Sequence, residues 1–163
     1  MIYNRDNNKS NNKIICEVNM SKIYQYMRNV HYYETDAMGI AHHSNYVRWF
    51  EEARLSFMNS IGLAYDKLED LGIIIPVVEV NLQYLSILKF AQNLRIESAI
   101  VYFTGVRMTV QYKVFDNETD ELVCTGQTKH AFVDTDFRPF ALQKKYPEVY
   151  QKFEAANLHE KFI

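Results

Sequence analysis

One long helical segment constrains the fold of this chain more than any other feature of its sequence. Across residues 44–61, apolar side chains recur every three or four residues, which is the spacing of one face of an α-helix. The apolar stripe consists of Tyr46, Val47, Trp49, Phe50, Ala53, Phe57, Met58 and Ile61. The remaining face carries Glu51, Glu52 and Arg54. Ser44 or Asn45 is expected to cap the start of the helix, and Gly62 is expected to end it.

Strand patterns lie on both sides of this helix. Residues 22–33 alternate well enough to predict one strand before it, although Arg28 interrupts the more apolar face. Four strands are predicted after it, at 75–84, 94–103, 106–115 and 122–134, with Thr104-Gly105 as a hairpin turn. Shorter helices are predicted at 64–71 and 146–158. Residues 34–42 show no sustained period and are predicted to form a loop.

This order of elements predicts an α+β domain. A single sheet and a single long helix bury each other only if the antiparallel five-stranded sheet wraps around the central helix. The edges and outer face of such a sheet need cover, so we expect a homodimer or homotetramer. No linker or repeat divides residues 21–163, which are expected to form one domain with a C-terminal helix.

Composition limits the classes of partner. A formal net charge of −2 provides no field that would attract nucleic acid, so no nucleic-acid partner is expected. No apolar run approaches the roughly 20 residues that span a bilayer, so no integral membrane segment is expected. Residues 1–20 are rich in Asn, Lys and Ser and are expected to be a disordered tail or an over-long start. The two cysteines, Cys16 and Cys124, do not predict a disulfide and fit a cytoplasmic protein.

Few side chains in the sequence match a known catalytic arrangement. Cys124 and His130 form a conceivable thiol–imidazole pair, but a free cysteine is more often a small core residue. Motifs of serine hydrolases, nucleotide-binding enzymes and zinc enzymes do not occur. His42 and His43 are adjacent, which at a helix start separates two side chains by about 100° and makes a poor metal pair. No metal and no cofactor are expected.

Asp36 is the most suggestive residue because it lies just ahead of the long helix. A helix start offers free N–H groups and a positive partial charge, which together stabilise a developing oxyanion. A nearby carboxylate could attack the same carbonyl or activate a water beside it. On these residues alone, a turn or capping role for Asp36 is the commoner outcome.

The run VHYYETDAMGIAHHSNY, residues 30–46, resembles the signature of the hot-dog-fold acyl-CoA thioesterases. It is most similar to that of the 4-hydroxybenzoyl-CoA thioesterase group and the Tol-Pal-associated acyl-CoA thioesterases. Their pattern is a tyrosine, two residues, T-D-A-x-G, a short apolar stretch, and H/F-x-x-Y at the start of the helix. The resemblance covers residues 22–140 in element order and is specific at 32–46. It implies a hot-dog fold and hydrolysis of an acyl-CoA in lipid metabolism.

The resemblance also implies roles for individual residues. Asp36 matches the catalytic carboxylate, which acts as nucleophile or general base. His43 matches the position whose backbone N–H polarises the thioester carbonyl, and its side chain is also implicated in catalysis. Tyr32 matches a tyrosine near the same site, and Tyr46 matches an aromatic residue that shapes the substrate pocket. A second oxyanion donor is expected from a partner subunit.

The sequence departs from this pattern at residues 87–92, where relatives often carry Pro-Ala-x-x-Asp-Asp. Lys89 in this segment is a candidate contact for a CoA phosphate, and otherwise a solvated side chain. Glu51 and Glu52 are interpreted as solvated or interface charges, and the aromatic stripe of the helix as core that in part lines an acyl tunnel. An acyl-ACP thioesterase and a non-catalytic acyl-CoA binding module stay open as alternatives. A hydroxyacyl dehydratase is disfavoured because its His-Pro-Gly-rich loop has no counterpart.

Overall fold

Five strands form one antiparallel sheet in the computed structural model, which describes residues 22–163. The strands are β1 (Tyr24–Asn29), β2 (Val77–Tyr84), β3 (Asn93–Phe103), β4 (Arg107–Asp116) and β5 (Leu122–Ala131). The helices are α1 (Asn45–Ser60), α2 (Tyr65–Asp70), α3 (Leu142–Lys145) and α4 (Pro147–Ala156). The predictions for the tail at 1–20 and for Cys16 lie outside the described residues.

The sheet has the strand order β1-β3-β4-β5-β2, so the strands on either side of α1 in the sequence form its two edges. This is the predicted α+β architecture. None of the helices within residues 22–163 is both long and apolar enough to cross a bilayer.

The aromatic face of α1 forms the centre of the core. Trp49, Phe50, Ala53 and Phe57 are buried, as the stripe predicted. The Phe50 ring stacks on that of Tyr112 in β4, with centroids 4.3 Å apart and planes within 6°. Close approach is possible because Gly126 of β5 has no side chain, since an added Cβ would lie 2.4 Å from the Phe50 ring.

Two predicted strands are shorter than expected. β1 ends at Asn29, and a 3-10 turn follows at Tyr32–Glu34, where the Glu34 carboxylate accepts the His31 N–H at 2.8 Å. β5 ends at Ala131, because the Asp134 carboxylate accepts two N–H groups of the turn after it. The short helix α3 was not predicted, and the closing helix is α4.

Side chains around α1 depart from prediction in two ways. Arg54, expected on the polar face, is buried and donates two hydrogen bonds to the half-exposed carboxylate of Glu51, at 2.6 and 2.7 Å. Neither Ser44 nor Asn45 caps the helix start, because Asn45 Nδ2 instead donates to the Glu34 carbonyl at 2.7 Å. Gly62 follows the helix in the left-handed region at φ 73°, as expected of a residue that ends it.

Glu34 joins the loop before α1 to both β1 and α1. Its carboxylate, in a residue only 5% exposed, accepts two hydrogen bonds from Arg28 Nη2 at 2.7 Å and the Trp49 indole N–H at 2.8 Å. Arg28 lies 5.0 Å above the Trp49 ring and reaches the half-exposed Glu52 at 2.6 Å. Burial opposes ionisation of Glu34, but the hydrogen bonds from Trp49 and His31 and the charge of Arg28 outweigh it and lower its pKa.

We expect Gly126→Ala to destabilise the protein, because the new methyl group would overlap the Phe50 ring and approach the Asn81 carbonyl. The free energy of unfolding in urea should fall by about 1–3 kcal/mol, as overpacked cores do. Thr125→Ala, on the opposite face of the same strand, is the matched control and should change stability by less than half as much. Equal stability of the wild type and Gly126→Ala would contradict the packing described.

We expect Glu34→Gln to lower stability by about 2–3 kcal/mol at pH 7, since Arg28 would lose its buried counter-charge but keep Glu52. Because the folded state lowers the pKa of Glu34 below its ordinary 4.5, its contribution is complete above that pH. The contribution is lost as the pH falls through the folded-state pKa.

Urea unfolding should be measured from pH 7 to pH 3. The difference in unfolding free energy between wild type and Glu34→Gln should become smaller below about pH 4.5. Glu52→Gln, which removes the half-exposed partner of the same arginine, should cost less than about 1 kcal/mol. If the difference in unfolding free energy between wild type and Glu34→Gln stays constant with pH, the folded protein does not stabilise the charged form of the Glu34 carboxylate.

Candidate active site

The loop that carries Asp36 is a small closed hairpin. Thr35 and Ala41 pair across it, the Asp36 N–H donates to the Ile40 carbonyl at 2.9 Å, and Gly39 takes φ 75° at its tip. The Asp36 Oδ1 atom accepts the Met38 N–H at 2.8 Å. Oδ2 has no hydrogen bond within residues 22–163, so one carboxylate oxygen is held by the turn while the other is open.

The segment at residues 87–92 holds this hairpin through main-chain contacts. Ile40 and Lys89 form a β-bridge, and the Ala41 N–H donates to the carbonyl of the buried Leu88 at 2.8 Å. This is the segment where the sequence departs from the thioesterase pattern. Its main chain therefore serves to hold the hairpin.

One cavity brings together three of the predicted site residues, at the start of α1. Asp36, His43 and Tyr46 all line it, and its volume is about 210 Å³. Its other walls are mostly apolar and come from Met38, Ile40, Ala41, Tyr84, Ser86, Ile87 and Leu88. A carboxylate thus shares a largely apolar chamber with the N-terminus of a long helix.

In the turn entering α1 the His43 N–H is available, whereas the Ser44 and Asn45 N–H groups donate to His42 Nδ1 and to the His42 carbonyl. No hydrogen bond from the His43 N–H is present within the described residues, and its carbonyl accepts the Tyr84 hydroxyl at 3.0 Å. The Tyr84 ring also packs edge-on against that of Tyr46, with centroids 5.1 Å apart. Burial raises the pKa of both tyrosines, so neither supplies a phenolate at neutral pH.

The two neighbouring histidines were expected to point apart, and this prediction is wrong. Their rings pack 4.0 Å from each other, because residues 42 and 43 precede the helix and do not follow its rotation. His42 Nδ1 lies 2.8 Å from the Ser44 hydroxyl. No cluster of three or more His, Cys, Asp or Glu side chains able to hold a metal occurs in residues 22–163.

Tyr32 and Lys89 are not among the residues that line the cavity. Tyr32 is 77% exposed and contacts the Phe90 ring edge-on at 5.7 Å. The Lys89 side chain has no ion pair among the described residues, while its main chain holds Ile40. Their predicted catalytic and CoA-binding roles stay predictions.

Cys124 and His130 do not form a reactive pair. They lie six residues apart along β5, roughly 20 Å in an extended strand. Burial raises the pKa of the Cys124 thiol to about 12 and lowers that of His130 to about 3, so both are neutral at pH 7. The His130 Nε2 atom lies 2.7 Å from the Thr128 hydroxyl. The reading of Cys124 as a buried core residue is confirmed.

Sequence reasoning missed two residues that shape the site. Tyr84 was predicted only as a strand residue, although it ends β2 at the cavity wall. Glu34 was predicted only as part of the loop, and its one signal was Arg28, a charge placed on the apolar face of the first strand. A buried arginine needs a buried acid, and Glu34 is that acid.

Comparison with known proteins places this geometry in a family. Residues 30–156 match the family described as the thioesterase-like superfamily. The chain is 30% identical to a Bacillus subtilis protein named "Putative acyl-CoA thioesterase YneP", over 78% of this chain and 93% of that protein. It is 26% identical to the 1,4-dihydroxy-2-naphthoyl-CoA hydrolase of Thermosynechococcus vestitus, over 69% of this chain and 77% of that protein.

A solved structure gives the same result. The DHNA-CoA thioesterase of Staphylococcus aureus superposes with a TM-score of 0.77 and 31% identity, covering 86% of this chain and 97% of that one. These findings confirm the hot-dog fold and the predicted enzyme class, a thioester hydrolase. The chain belongs to the thioesterase-like superfamily.

Proposed function

We propose that this protein hydrolyses an acyl-CoA thioester to a free carboxylic acid and CoA, as an enzyme of the 4-hydroxybenzoyl-CoA thioesterase type. The observation that carries the proposal is the shared cavity, because Asp36 and His43, which lies two residues ahead of α1, line the same largely apolar chamber. Relatives named for acyl-CoA and DHNA-CoA substrates support a CoA thioester over other esters.

The chemistry follows from the charges at the cavity. Attack on the thioester carbonyl moves a negative charge onto its oxygen, and the free His43 N–H at the positive end of α1 stabilises that charge. In the general-base route, Asp36 takes a proton from the attacking water, and the C–S bond then breaks to release CoA, which takes up a proton. In the nucleophile route, Asp36 attacks the carbonyl, CoA leaves, and water hydrolyses the resulting anhydride.

Two substrate contacts are proposed alongside this chemistry. The rings of Tyr46, in the first turn of α1, and of Tyr84, at the end of β2, line the cavity and would pack against the acyl group. The rest of the aromatic stripe is fully buried against the sheet, so the acyl group is expected to lie beside the helix start and not along the helix.

Asp36→Asn is expected to lower kcat for hydrolysis of an acyl-CoA panel by about 100-fold or more, because the amide can neither take a proton nor form an anhydride. Hydrolysis is followed by release of free thiol, with aliphatic chains of increasing length and an aromatic acyl group. Asp70→Asn, at the exposed end of α2, is the control and should retain wild-type kcat.

Three results would change the assignment. Full activity in Asp36→Asn would remove the carboxylate from the mechanism. Cleavage of acyl-ACP in preference to acyl-CoA would assign the carrier differently. Tight binding of acyl-CoA by a wild type that cleaves no thioester would favour a non-catalytic binding module.

We also propose that the enzyme acts as a homodimer paired along β2. This strand is a sheet edge, and its first residues Val77 and Val78 are exposed. Exposed apolar residues continue from its end to the cavity mouth at Leu85 and Ile87. A second copy would cover this surface and could supply the second oxyanion donor.

Sedimentation of the wild type is expected to give the mass of two chains or of a multiple of two. Val78→Glu should shift the protein toward single chains, because it places a charge in the paired edge. Met27→Glu, on the opposite edge strand and equally half-exposed, is the matched control and should leave the mass unchanged. A wild type that sediments as one chain at micromolar concentration would contradict the proposal.

A further inference from the structure

We propose that Glu34 is a positioning residue, whose buried charge fixes the Asp36 hairpin relative to the start of α1. The inference rests on the proposed function, because it assigns the two parts of the reaction to these two segments. Glu34 itself does not line the cavity and is not expected to touch substrate.

The first step of the argument is connectivity. The Glu34 side chain bonds to β1 through Arg28 and to α1 through Trp49, both at distances below 3 Å. Its main-chain carbonyl accepts the Asn45 side-chain N–H at 2.7 Å and the His42 N–H at 2.8 Å. Asp36 is two residues further along the chain, and His42 and Asn45 flank the position of the proposed oxyanion donor.

The second step concerns charge. The Arg28 side chain is 6% exposed, so it requires a charged partner, and Glu34 meets both of its Nη2 hydrogen bonds. The carboxylate accepts four hydrogen bonds in all, from Arg28, Trp49 and His31. A neutral amide of the same shape could accept only on its oxygen, and its NH₂ group would face donors. The network therefore requires a carboxylate at residue 34, oriented toward Arg28, Trp49 and the His31 N–H.

The third step is that few other contacts hold the hairpin in place. Its tip is exposed at Met38 and Gly39. Apart from Glu34, the hairpin is connected to the rest of the described chain by the Thr35 hydrogen bonds to the Tyr32 carbonyl and by the main chain at Leu88 and Lys89. Loss of the Glu34 network would free the end of the hairpin that adjoins α1. Displacement of a reacting carboxylate by about 1 Å is enough to slow catalysis by about 100-fold.

The test compares Glu34→Gln with Glu52→Gln, the matched change at the other carboxylate of Arg28. For each folded variant, kcat and KM are measured with an acyl-CoA that the wild type cleaves, and amide hydrogen exchange is followed by mass spectrometry over residues 35–43 and over β4. Glu34→Gln is expected to lower kcat by 10- to 100-fold, to leave KM within threefold, and to speed exchange over residues 35–43 at least tenfold without changing β4. Glu52→Gln should match the wild type in all of these.

The outcomes separate a positioning role from simple loss of stability. Wild-type kcat in the folded fraction of Glu34→Gln, or a lower kcat with unchanged exchange over 35–43, overturns the inference. An equal loss in Glu52→Gln also overturns it, because the effect would then belong to Arg28 alone. If the wild type cleaves no thioester, the proposed function fails, and faster exchange confined to 35–43 still supports the positioning of the hairpin.

A second variant covers failure of Glu34→Gln to fold. Trp49→Phe removes the indole N–H bond to Glu34 and shortens a fully buried side chain, while it keeps an aromatic ring in the core. It should lower kcat three- to tenfold and speed exchange over residues 35–43, and no change in either quantity overturns the inference.

Discussion

The structure depends on the close packing of one helix in the curve of one sheet. Phe50 stacks on Tyr112 and presses against the bare backbone at Gly126, so the helix sits where a side chain on β5 would exclude it. This contact sets the distance between α1 and β5. That distance in turn sets where the N-terminus of α1 lies relative to the hairpin at residues 35–41. The position of the proposed oxyanion donor is therefore a consequence of core packing several residues away.

The hydrophobic contact sets the position of the helix, and a polar network sets that of the loop. Arg28, Glu34 and Trp49 connect β1, the hairpin and α1 with a buried ion pair and a charge-assisted hydrogen bond. Buried ion pairs are weak evidence for stability but strong constraints on geometry, because a displaced partner leaves a buried charge. The two kinds of contact have different effects, because apolar packing tolerates small shifts of the loop and the ion pair does not.

Much of the fold could be predicted from periodicity, because α1 has one buried face and the strands alternate between more buried and more exposed side chains. The approximate bounds of α1 and of β2 to β5 followed from that rule, as did the wrapped sheet. The end of β1, the burial of Arg54 and the contact of His42 with His43 could not be predicted. Each depends on a partner distant in sequence or on backbone that follows no period. At the candidate site, the position of Asp36 ahead of the helix was suggestive by itself, but its predicted role and the choice of His43 and Tyr46 came from resemblance to a known signature. Glu34 and Tyr84 required the structure, since their roles arise from what they contact.

Trp49 is the single tryptophan of the chain, so its fluorescence reports on one defined environment. The indole N–H bonds to the Glu34 carboxylate, and the Arg28 cation lies over the ring. Its emission therefore originates from one place, between the charges of Arg28 and Glu34 beside the Asp36 hairpin. The protein thus carries an intrinsic optical reporter at the junction of helix and loop, sensitive to the electric field there. Movement of the hairpin relative to α1 is therefore expected to change the fluorescence of the unmodified protein.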